Sequence, residues 1–118
     1  MQSTQLKKAD QELISTCWVA KSFFSRFLGL MGKTGISDNE AVIFPRCNSI
    51  HTFFMRFPID VVLVSARGEV VEVIESMKSW KMILPRKSAR HIIEMRAGLS
   101  RELGIVVGTL LRCHGAWD

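Results

Sequence analysis

Two runs of strand-forming residues, Ile59 to Ser65 and Glu69 to Ser76, stand on either side of Ala66-Arg67-Gly68. A short turn between two such runs is the signature of a β-hairpin. That pairing commits the chain to a sheet, and other segments read as its neighbours. Leu13 to Ala20, rich in Ile, Thr, Trp and Val, suits a first strand. Ala41 to Phe44 is a short apolar strand stopped by Pro45. Asn48 to Phe57 alternates, with His51, Phe53, Met55 and Phe57 on one side. Ala89 to Ala97 alternates again. His91, Ile93 and Met95 share one face of it, and Arg90, Ile92, Glu94 and Arg96 the other. Gly98 ends that strand, Ser100 to Leu103 makes one helical turn, and Thr109 to Cys113 is a last strand.

One segment breaks the two-residue period. Phe23, Phe24, Phe27, Leu28, Leu30 and Met31 fall on one arc at about 100° per residue, which predicts an amphipathic helix. Ser22 suits its start and Gly32 its end. The expected fold is therefore α+β: a small curled, mostly antiparallel sheet or open barrel of about six strands, with one main helix near the N-terminus. Residues 1–11 read as a polar arm and residues 12–118 as a single domain, the prior for a chain of 118 residues.

The charge is unevenly placed. The chain has 16 basic and 11 acidic residues, a formal +5. From Lys78 to Arg101 there are seven basic residues and a single acid, Glu94, so this segment alone carries +6. Such a segment points to an anion-facing edge, with Lys81, Arg86, Lys87, Arg90 and Arg96 as its candidates. Single-strand nucleic-acid binders interleave aromatics with such cations. Trp80 is the segment's lone aromatic, so nucleic acid is the weaker partner. Three cysteines, Cys17, Cys47 and Cys113, make no disulfide framework. Met1 to Glu12 is polar and no apolar run spans a bilayer, so the chain reads as cytoplasmic. A chain that had lost a leader, and so belonged to the cell envelope, would read the same way.

The run Ser49-Ile50-His51-Thr52-Phe53-Phe54-Met55-Arg56-Phe57-Pro58-Ile59-Asp60 resembles the signature of the family called domain of unknown function 192. Arg26-Phe27-Leu28-Gly29-Leu30-Met31, Ile93-Glu94-Met95 with Gly98, and Gly104-Ile105 with Gly108 agree with it in order. Phe54 stands where many relatives have Trp, and Thr109 where they have an acid. The resemblance implies a compact, mostly β domain with a helix near its start. It implies no activity and no cofactor.

Asp60 opens an apolar strand, so its carboxylate belongs at the core boundary and needs a partner, for which Arg26 is a candidate. Glu94, between Arg90 and Arg96, reads as a compensated surface residue or as a second cleft carboxylate. Arg26, His51, Met55, Asp60 and Glu94 together make the candidate ligand site of a non-enzymatic binding or accessory domain. The competing reading is a hydrolase-like enzyme, which would need Asp60 and Glu94 within about 5–10 Å of each other. Cys47, His51, Cys113 and His114 could supply four zinc ligands, but their spacing is loose, so no metal is assigned.

Overall fold

The computed structural model describes residues 2–20, 36–51, 57–78 and 81–117. Eight strands follow one another: β1 (Gln2–Lys8), β2 (Gln11–Val19), β3 (Glu40–Phe44), β4 (Ile50–His51), β5 (Ile59–Val64), β6 (Val70–Met77), β7 (Met82–Ile83) and β8 (His91–Arg96). One helix, α1 (Leu99–Glu102), comes after them. Six strands form an open sheet in the order β1-β2-β3-β8-β5-β6, and β4 and β7 pair separately. Every pairing is antiparallel except β2 with β3.

The α+β expectation is overturned by this architecture. Among the described residues the fold is an open six-stranded sheet with one four-residue helix, not a sheet packed on a main helix. The helix read over Ser22 to Gly32 falls on residues 21–35, outside the described residues. Gln2–Lys8, read as an arm, is an edge strand. Its residues are mostly exposed and only Leu6 is buried, so no apolar pattern announces it. Main-chain pairing with β2 holds it in place instead. Thr109 to Cys113 is not a regular strand either. It makes two isolated bridges, Leu110 to Glu69 and Arg112 to Lys7, which tie the β5–β6 turn to the β1 edge.

The hairpin is as expected, with β5 antiparallel to β6. β5 is buried along its whole length because apolar clusters cover both faces of the sheet. The first face carries Ile43, Val62, Val64, Ile93 and Met95, closed by Leu99, Leu111 and Cys113. The second carries Val42, Phe44, Ile59, Val61 and Ile92, packed by Ile36, Phe57 and Ile83. Gly68, at φ 92°, is the point where the C-terminal residues dock. A Cβ there would lie 2.2 Å from the Leu111 carbonyl oxygen and 2.4 Å from Trp117 Nε1. No helix among the described residues is long and apolar enough to cross a membrane.

Candidate functional site

Asp60 and Glu94 sit on neighbouring strands, yet on opposite faces. In the β5–β8 ladder Asp60 pairs with Met95, and Val61 pairs with Glu94. Paired residues point the same way and successive residues alternate. Asp60 therefore joins the Met95 face, and Glu94 the Val61 face. The paired carboxylates that acid/base hydrolysis requires are not assembled.

Asp60 is fully buried and fully engaged. Its Oδ1 accepts from the Ser76 amide at 2.8 Å. Its Oδ2 accepts from the Gly98 and Ser100 amides, each at 3.0 Å, and from the Ser100 hydroxyl at 2.6 Å. Ser76 has φ 51°, within the register shift between β5 and β6, so the carboxylate secures an irregular strand to the start of α1. Gly98 itself offers α1 no capping side chain, and Asp60 fills that role from 38 residues away. Burial alone pushes the Asp60 carboxyl up, but the bonds from Ser100, Ser76 and Gly98 together hold it below the usual carboxylate range. From the sequence, Ser76, Gly98 and Ser100 are not read as partners of Asp60. The Gly98-Leu99-Ser100 step into a helical turn, whose first amides need acceptors, was the available signal.

Glu94 is the opposite case. It is 3% exposed, which corrects the reading of a compensated surface strand. Val42 and Val61 flank it as cross-strand neighbours, and Ile92 precedes it on the same face. Burial is the cause that shifts its carboxyl, and no charge or hydrogen bond from the described residues contributes to that shift. Burial raises its pKa to about 8, so Glu94 is mostly a neutral acid at pH 7. Arg96, two residues on, does not compensate it. That guanidinium meets Asp38, Glu102 (2.6 Å) and the Ala97 carbonyl (3.0 Å) instead.

Arg26 and Met55 fall outside the described residues. His51 lies in β4 opposite Met82. Several cations of the basic segment are paired with acids. Arg86 is paired with Glu72 at 2.9 Å, and Arg101 with Glu75 at 3.1 Å. Arg90 and Arg96 lie six residues apart on and beside β8, about 20 Å along a strand. Lys81, Lys87 and Arg90 are exposed. Acids distant in sequence thus take up much of the +6.

His91 is a packing residue. Its ring stacks on Trp117 at 5.2 Å, and its Nδ1 accepts from the Arg46 amide at 3.0 Å. Burial, with the charges of Arg90 and Arg46, holds its pKa below the ordinary histidine value. Cys113 lies in the first-face cluster and Cys47 packs against the second, so the four-residue zinc set is not assembled.

With this geometry in place, comparison with known proteins fixes the family. Residues 4–113 match DUF192, described as "Uncharacterized ACR, COG1430", and the chain belongs to that family. It is 37% identical over 104 residues to a UPF0127 protein of Thermococcus gammatolerans, covering 85% of this chain. The match spans 65% of that relative's length. Two solved structures share the fold. One is a protein of unknown function from Novosphingobium aromaticivorans DSM 12444, with a TM-score of 0.77 and 20% identity, over 93% of this chain and 83% of the other. The second, from Sinorhizobium meliloti 1021 and provisionally called a transcription regulator, has a TM-score of 0.80 at 20% identity. It matches over 96% of this chain and 93% of its own.

Proposed function

We propose that the chain is a non-enzymatic binding domain whose ligand docks against the second sheet face and is recognised by Glu94. One observation carries this reading: a carboxyl 3% exposed, on an apolar face, with no partner among the described residues. A buried polar group left unpaired costs on the order of 1–3 kcal/mol. A site that must recognise a polar head group can hold that cost in reserve, because the ligand completes the missing bonds. The neutral acid offers one O–H donor and acceptor oxygens. Val42, Val61 and Ile92, themselves buried, make its surroundings apolar. The matching ligand is small, largely apolar, and ends in a group that both accepts and donates, such as an amide or alcohol.

The test is a screen of short-chain amides and alcohols by amide NMR. Saturable shifts are expected at Val42, Val61 and Glu94, and Glu94→Leu should abolish them. No response across the screen, or the same response in Glu94→Leu, contradicts the reading.

A further inference from the structure

His91 joins stretches of chain that lie far apart in sequence. It opens β8, is 5% exposed, and pairs across the sheet with Val64. Its Nδ1 accepts from the Arg46 amide, in the connection of residues 45–49 between β3 and β4. An accepting Nδ1 leaves the ring's one proton on Nε2. A second hydrogen bond links the ring to the Ala66 backbone in the β5–β6 turn. One flat side stacks on Trp117 of the C-terminal segment. Arg46 is itself an outlier, an exposed non-glycine residue with φ 56°. Strain of that kind persists only where the surroundings hold it. The bond to His91 is one such hold, and the next is the Cys47 amide donating to the Arg90 carbonyl at 2.8 Å.

The contacts of the ring respond in opposite ways to a second proton. That proton enters at Nδ1, where it faces the Arg46 N–H, donor against donor. The charges acting on the ring are those of Arg90 and Arg46, both cations, and each opposes the added charge. Val64 of β5, Ala66 of the β5–β6 turn and Trp117 face it without charge. The Trp117 indole, 5.2 Å away between centroids, attracts a cationic ring. The loss therefore falls on Arg46 and not on the C-terminal segment. We propose that His91 is an acid-release latch for residues 45–49. The neutral ring holds the Arg46 amide, and the protonated ring lets it go while β5 and β8 stay paired. Cys47 packs against the second-face cluster, so release loosens part of that cluster's cover. The latch is independent of the Glu94 reading.

The experiment takes the full chain from about pH 7.5 to about pH 4.5, the range in which a histidine changes charge. It follows the imidazoles by nitrogen-15 NMR and the amides by hydrogen exchange. At the upper end the His91 ring should show a bare Nδ1 and a protonated Nε2. As the ring charges, protection of the Arg46 and Cys47 amides should fall about tenfold or more. The Val62 and Ile93 amides and the Trp117 indole N–H should keep theirs. His91→Asn sets a fixed oxygen acceptor near the Nδ1 position, so Arg46 protection in that variant should not respond to acid. The titration of the unsubstituted chain decides the matter even if the variant does not fold. A ring that stays neutral throughout, Arg46 protection unchanged while the ring charges, loss of protection at all these groups together, or the same acid release in His91→Asn would overturn the latch.

Discussion

Asp60 and Glu94 are carboxyls of adjacent strands, both buried, one on each face of the same sheet. Asp60 accepts four hydrogen bonds and stays ionised below its usual range. Glu94 accepts none among the described residues, and burial moves it to about 8. Burial alone therefore does not assign a role to an acid. The first face uses its carboxylate as an internal cap, joining a strand irregularity to a short helix. On the second face no such set of bonds from the described residues offsets burial, and that contrast is what the proposed binding role of Glu94 rests on.

The largest effect should come from removing the saturated member. Asp60→Ala strands the Ser76, Gly98 and Ser100 donors, and denaturant unfolding should show a loss of about 3–5 kcal/mol. A loss below about 1 kcal/mol would remove the contrast. Glu94→Gln should act in the other direction. At pH 9 the native Glu94 is charged and buried, so the amide variant should gain roughly 2–4 kcal/mol over the unsubstituted chain. At pH 4 the two proteins should be nearly equal.

The pH dependence of the unsubstituted chain follows from the same pair. The Glu94 contribution is fully present below its unfolded value of 4.5 and is lost as pH rises towards about 8. The Asp60 contribution is present above its unfolded value of 3.8 and is lost as pH falls through its lower folded value. Denaturation midpoints across pH 2–9 should fall at both ends for these separate reasons, and each variant should flatten its own end.

Ser100→Ala sharpens the comparison at smaller cost. It removes one of the four bonds to Asp60 while the backbone amides remain, so about 1–2 kcal/mol is expected by denaturant unfolding. Arg101→Gln touches neither carboxyl. It releases Glu75 at an exposed ion pair, and its denaturation midpoint should match the unsubstituted chain's.

Local pattern made part of this legible and hid the rest. The hairpin of β5 and β6, the strand at β8 and the turn at α1 were readable because each is a local pattern bounded by Gly or Pro. Alternation also placed Glu94 with Ile92 on one side of β8. It could not say which side of β5 matches that one. The answer depends on the register Val61 to Glu94, a contact between segments 33 residues apart. β1 was hidden because an edge strand held by main-chain bonds needs only one buried side chain, Leu6. The basic segment was legible as a composition, but not the ion pairs that several of its arginines make. Its neutralising acids, Asp38, Glu72, Glu75 and Glu102, lie outside it, and all but Glu102, six residues from Arg96, arrive through tertiary contacts.

The central claim is that burial governs the Glu94 carboxyl, whereas hydrogen bonds govern the equally buried Asp60. Carbon-13 detected titration of the side-chain carboxyls reads this directly in the folded chain. The Glu94 carboxyl should titrate near pH 8, with Asp60 below 3.8. A Glu94 midpoint near 4.5, the value of an unburied glutamate, would contradict the account.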